Sequence, residues 1–98
     1  MDKEQVIDIV REYKRLVNTA IDDAQVYLYG SYSKGNAHAN SDIDVAVVVP
    51  QVKGDWLDVS AQLWMLAPQV NYQIEPVLIE KRFASPLYDD VMRTGVAV

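Results

Sequence analysis

Cysteine is missing from the 98 residues, histidine occurs once, and glycine and proline four times each. Without cysteine there are no disulfides and no thiolate metal sites, which fits a reducing compartment. Any metal must be held by oxygen ligands or by His38, the single histidine. No apolar run is long enough to cross a bilayer. The chain opens with Asp2-Lys3-Glu4 rather than the basic and apolar regions of a signal peptide, so the expected location is cytoplasmic. Bases are scarce: nine Lys and Arg stand against fourteen Asp and Glu, a net charge of −5. They form no cluster longer than Lys14-Arg15 or Lys81-Arg82. Affinity for long nucleic acids rests largely on Lys and Arg at phosphates, so this balance argues against such a substrate. A compact metal–nucleotide complex stays open, because the metal brings its own positive charge.

The length fits one domain spanning residues 1–98, since a second could not bury its own core. Half of the residues are apolar, enough for one core covered by a few helices. Repeats, low-complexity tracts and linkers are absent. Asp2, with Gln5 three residues on, reads as a capping box. Val6, Val10, Tyr13, Val17 and Ala20 then recur at helical spacing, predicting a helix to about Ile21. Ala24 to Tyr29 is a short strand ending at Gly30-Ser31, followed by a polar segment with Gly35 and two Asn. Ile43 to Val49 is an aliphatic run that reads as a strand buried on both faces and stopped by Pro50. Gly54-Asp55 starts a second helix, with Trp56, Val59, Leu63 and Leu66 on one stripe and Pro68 after its end. Tyr72 to Ile79 is a third strand, and Ser85-Pro86 opens a last helix that stops near Gly95. The resulting order, α-β-turn-β-α-β-α, is an α/β sandwich on a three-stranded mixed sheet flanked by helices.

Gly30-Ser31 is followed, after ten intervening residues, by Asp42-Ile43-Asp44. Side chains alternate along a strand, so Asp42 and Asp44 point the same way, with Cα atoms roughly 7 Å apart. Two carboxylates held like this repel one another unless a cation lies between them. Such hard ligands suit Mg²⁺ or Mn²⁺, whose shells are completed by phosphate oxygens and water. At Gly30-Ser31 the chain turns from strand into a short helix. A glycine there lets a phosphate approach the backbone, and the Ser31 hydroxyl adds a donor. Together the two pieces predict a site for a nucleoside triphosphate and metal. Two-metal chemistry asks for a third acid, and Glu75 on the third strand is the candidate. The alternative for Glu75 is a surface acid on an edge strand, since Pro76 beside it removes a ladder donor.

Gly30-Ser31-Tyr32-Ser33-Lys34-Gly35, followed by Ser41-Asp42-Ile43-Asp44-Val45, resembles the signature of the DNA polymerase beta nucleotidyltransferase superfamily, and more closely its minimal bacterial and archaeal members. The resemblance covers nearly the whole chain and implies a nucleotidyltransferase-like fold. It also implies that Ser31 contacts the terminal phosphates, that Asp42 and Asp44 bind two Mg²⁺ ions, and that a later acid completes the set. Gly30, Ser31, Lys34, Gly35 and Ser41 are the nucleotide-binding positions of the motif. The third acid here is Glu rather than the commoner Asp. The implied reaction moves AMP from ATP onto a hydroxyl.

Nothing in the chain is large enough to select an acceptor, so a partner should bring it. Minimal transferases of this kind commonly act as antitoxins. They adenylylate a tyrosine of a small helical toxin of the HEPN (higher-eukaryote-and-prokaryote nucleotide-binding) type, in a hetero-oligomer. The rival readings are a nucleotide-binding subunit that neutralises its partner by contact alone, and one subunit of an antibiotic-modifying transferase. Smaller alternatives stay beside these. Lys34 is a triphosphate cation or a solvated loop lysine, and Tyr32 a stacking residue or an exposed loop residue. His38 reads as a plain loop residue, and Trp56 and Trp64 as core or half-core packing on the second helix, the alternative being that one of them helps to form a partner surface.

Overall fold

The computed structural model describes residues 1–38, 41–83 and 85–98. Asn40, in the predicted polar segment, lies outside them. The first helix, α1 (Lys3–Ala20), starts as its sequence dictates: Asp2 accepts the Gln5 N–H, and the Gln5 side chain accepts the Asp2 N–H in return. Val6, Val10, Tyr13 and Val17 lie one above the other and are fully buried, each contributing on the order of 1.5 kcal/mol or more by leaving water. β1 (Gln25–Tyr29), α2 (Ser31–Lys34) and β2 (Ile43–Val49) follow. Then come α3 (Trp56–Val70), β3 (Ile74–Glu80), α4 (Pro86–Thr94) and β4 (Val96–Ala97).

The sheet order is β3-β2-β1-β4. β1 pairs antiparallel with β2 and with β4, and β2 pairs parallel with β3 through the α3 crossover. The sheet has four strands rather than the expected three, because the chain after Gly95 turns back along β1 for two residues, too short a run to read from sequence. β2 is buried on both sides, as its aliphatic run predicted. Ile43, Val45, Val47 and Val49 enter the larger cluster with α1, Leu63 and Ala67. Ala46 and Val48 face the smaller cluster with Ile79 and Val91 of α4. The Tyr13 hydroxyl donates to the Leu63 carbonyl at 2.8 Å, tying α1 to α3 inside the core.

Three local expectations are corrected. Pro68 lies inside α3, not after it; it sits on the exposed face, so the Trp64 carbonyl deprived of a donor can be satisfied by water. Trp56 and Trp64 are 44% and 50% exposed, because the buried stripe of α3 is the narrow one through Leu63 and Ala67. With Leu57 and Met65 they leave α3 an apolar outer surface, and no charged residue occurs between Asp58 and Glu75. Tyr32 is no exposed loop residue: only 4% accessible, it plugs α2 into the larger cluster.

The Tyr32 hydroxyl is buried and has no hydrogen-bond partner among the described residues. Tyr32→Phe should therefore raise the melting temperature, worth up to about 1 kcal/mol of relieved desolvation. Tyr32→Ala should cost about 3 kcal/mol and loosen the turn it anchors. Thermal unfolding of both variants checks this, and a Phe variant less stable than wild type would contradict it.

Candidate active site

The end of β1 and the start of β2 lie side by side, with Tyr29 opposite Asp44, and Asp44 in turn opposite Glu75 on β3. Tyr29, Asp44 and Glu75 thus form a row across three neighbouring strands, on the sheet face shared with Ala46 and Val48. Immediately after Tyr29, Gly30 takes φ 72° and ψ −146°, a conformation that disfavours any side chain. Space alone would also exclude one, since a Cβ at Gly30 would collide with Oδ2 of Asp44. The Asp44 carboxylate rests against the glycine that opens the turn. α2 starts at that point; the Lys34 N–H donates to the Gly30 carbonyl at 3.1 Å, and Ser33 Oγ donates to the same oxygen at 3.0 Å. Gly35 closes α2 in the left-handed region (φ 77°) with open space around it, so its role is conformational.

The carboxylates repel one another. Asp44 is pushed above the ordinary aspartate range by partial burial and then by the charge of Asp42. Glu75 is raised by loss of hydration, by the Asp42 charge, by the hydrogen bond its acid form shares with Asp42, and by Asp44. Tyr29 is raised by burial and then by Asp44, Glu75 and Asp90. The three sequence-predicted acids therefore share one electrostatic site. Among the described residues no three His, Cys, Asp or Glu side chains are gathered closely enough to hold a metal ion by themselves. The donor set nonetheless fits a hard divalent cation: oxygen ligands only, excess negative charge, and open positions for phosphate oxygens and water. Asp42 and Glu75 are exposed and Asp44 is half-buried, and a partly open hollow of about 170 Å³, lined by Ile21, Val49, Val52 and Val59 with Asp22 and Lys53, lies at the other end of β2.

The remaining predicted residues are distributed as follows. Ser31 is the first residue of α2, beside Gly30. Lys34 reaches across to α4, where its ammonium meets Oδ2 of Asp90 at 3.3 Å. Ser41 lies in the loop before Asp42; its hydroxyl accepts the His38 N–H at 2.9 Å, and its own N–H returns to the His38 carbonyl. Glu75 is exposed at the start of β3. Pro76 does sit on an edge strand. Gln73 and Lys81 use their backbone groups toward β2, so the even positions of β3 face away, and Pro76 turns its missing donor to the open edge. Sequence reasoning overlooked Tyr29 and Asp90. Tyr29 could have been found as the residue before the glycine turn. Asp90 carries no local signal, because a helix brings it in.

The whole arrangement belongs to one family: residues 4–93 match the nucleotidyltransferase domain, and the chain is a member of it. Among its relatives is the protein named "Putative protein adenylyltransferase MJ0141" of Methanocaldococcus jannaschii, 27% identical over 100 residues, covering 96% of this chain and 99% of that protein. Protein adenylyltransferase MntA of Shewanella oneidensis is 49% identical over 62 residues, 61% of this chain and 41% of that one. A crystal structure of a toxin–antitoxin with AMP-PNP superimposes with a TM-score of 0.59 at 28% identity, covering 99% of this chain and 72% of that one.

Because Asp44 and Glu75 hold protons more tightly than ordinary acids, their charged forms oppose folding, and stability falls as pH rises through their raised ranges. Asp44→Asn should therefore melt above wild type at pH 7 without ligand, with the gap closing near pH 4. Gly30→Ala should behave oppositely, melting lower and losing the thermal shift given by ATP with Mg²⁺. Melting curves across pH, with and without ATP–Mg²⁺, test both. An Asn variant less stable than wild type at neutral pH would contradict the strained-carboxylate picture.

Proposed function

We propose that the protein is a Mg²⁺-dependent adenylyltransferase that transfers AMP from ATP to a tyrosine hydroxyl of a small HEPN-type toxin, and so serves as the antitoxin of the pair. The observation that carries the reading is the contact between the Gly30 turn and Asp44, which sets a backbone free of side chain beside a carboxylate suited to a hard cation. Membership of the nucleotidyltransferase family, the name of the MntA relative, and the AMP-PNP toxin–antitoxin structure support it.

In this reading Gly30 admits the terminal phosphates to the backbone, and Ser31 donates its hydroxyl to them. Asp42 and Asp44 hold the cation that accompanies the triphosphate, and Glu75 shares a second with them. When bound, these cations neutralise charge on the α-phosphate and pyrophosphate and acidify the acceptor hydroxyl. The hydroxyl oxygen bonds to the α-phosphorus as the bond to the bridging β-phosphate oxygen breaks, and pyrophosphate leaves. The acceptor proton passes to a site carboxylate, with Glu75 the most accessible of the three-strand row. Lys34 needs only to turn from Asp90 to meet the β- and γ-phosphates. The ion pair it leaves is partly exposed and worth at most about 1 kcal/mol.

Ser31→Ala should weaken ATP binding moderately, by about 1 to 3 kcal/mol for a charge-assisted hydrogen bond. Loss of Asp42 or Asp44 should reduce transfer far more. Equal losses from Ser31 and Asp44 variants, read by labelled AMP transfer, would contradict their separate roles.

Glu75→Gln should retain most of the ATP–Mg²⁺ thermal shift yet lower AMP transfer to the co-expressed partner by ~100-fold or more. Growth rescue from the toxin should fall with it, and mass spectrometry should find AMP on the partner only with wild type. Full rescue by Glu75→Gln, with an unmodified partner in both cases, would instead establish neutralisation by contact.

A further inference from the structure

Asp42 stands just ahead of β2, which begins at Ile43, so no rung of the sheet holds it. It is also exposed, and packing does not fix its direction. Its two neighbours in the chain, however, are both held by one residue. The Gln73 carbonyl accepts the Ile43 N–H at 2.9 Å, and the Gln73 side-chain Nε2 donates to the Ser41 carbonyl at 3.3 Å. Gln73 is itself fixed, because its N–H donates to Oδ1 of Asn71 at 2.8 Å in the turn that leaves α3. The Ser41 hydroxyl is already used by His38, so among the described residues Gln73 alone ties Ser41 to the turn that leads into β3.

We infer that Gln73 is a positioning residue: by clamping residues 41 and 43 from the turn before β3, it directs the Asp42 carboxylate toward Asp44 and Glu75 and so sets the metal affinity of the site. This rests on the reading of Asp42 as a metal ligand. Half of the clamp is backbone and survives any substitution at 73; the other half is the amide. Without Nε2 the Ser41 carbonyl turns to water at little cost to the fold, but Asp42 gains freedom that metal binding must then remove.

The test is a titration with Mn²⁺ followed by the EPR signal of the free ion, in the presence of a non-hydrolysable ATP analogue, on the full chain. Gln73→Met removes the amide and keeps the length of the side chain. It should weaken Mn²⁺ binding about 5- to 20-fold while leaving the metal-free melting temperature almost unchanged. Gln73→Asn, whose amide falls short of Ser41, should weaken binding similarly and serves if the Met variant does not fold. In an Asp42→Asn background, Gln73→Met should have no further effect, because its action runs through Asp42. Binding within twofold of wild type for the Gln73 variants, or an equal loss in the Asp42→Asn background, overturns the inference. If Asp42→Asn itself leaves Mn²⁺ binding intact, the metal-site reading fails instead.

Discussion

The contact of Gly30 with the Asp44 carboxylate is the constraint around which the molecule is arranged. It exists only because β1 and β2 pair with Tyr29 opposite Asp44. A slip of one residue would turn Asp44 into the large cluster beside Val45 and Val47, where an unpaired carboxylate could not remain. The register is held by the two-sided burial of β2: odd positions pack under α1 and α3, even positions under α4. The core therefore determines where Asp44 and Glu75 stand, and the glycine leaves the backbone beside Asp44 free of a side chain. Tyr32 adds a third restraint, since the turn cannot lift away from the sheet without exposing a ring that is almost wholly buried.

Much of this was legible because the site is made of local motifs. Gly30-Ser31 carries its geometry in the conformational freedom of glycine and Asp44 in the period-two alternation of β2, whereas Asp42 stands just ahead of the strand. β2 was readable to the residue because seven consecutive aliphatic or half-buried positions have no helical interpretation. What sequence could not supply depended on packing between distant elements. Asp90 meets Lys34 only because α4 folds back over β1, and the two residues of β4 are strand only because β1 is there to receive them. Trp56 and Trp64 were misplaced for a related reason. A helix with apolar residues on several sides does not reveal which side the sheet will take.

On the proposed reading, the charge distribution decides in what form so small a protein can hold a triphosphate. Around the turn stand Asp42, Asp44, Glu75 and Asp90, and the nearby Lys34 is already engaged by Asp90. A bare triphosphate would meet repulsion there. A metal–triphosphate complex relieves it, and the free energy stored in the opposed carboxylates becomes part of the binding free energy. A preference for a metal-complexed ligand is what the proposed site would owe to its carboxylate set.

The edge position of β3 then bears on how an acceptor can arrive. Its even positions face outward, and at the site end they offer no free donor: the Ile74 N–H is taken by the Asn71 carbonyl, and Pro76 has none. Strand addition needs donors as well as acceptors along the edge, so a partner segment cannot extend the sheet beside Glu75. The backbone that would invite a strand is closed at the point where the third acid is exposed. On the proposed function, a partner would reach this site with a projecting side chain rather than with an added strand.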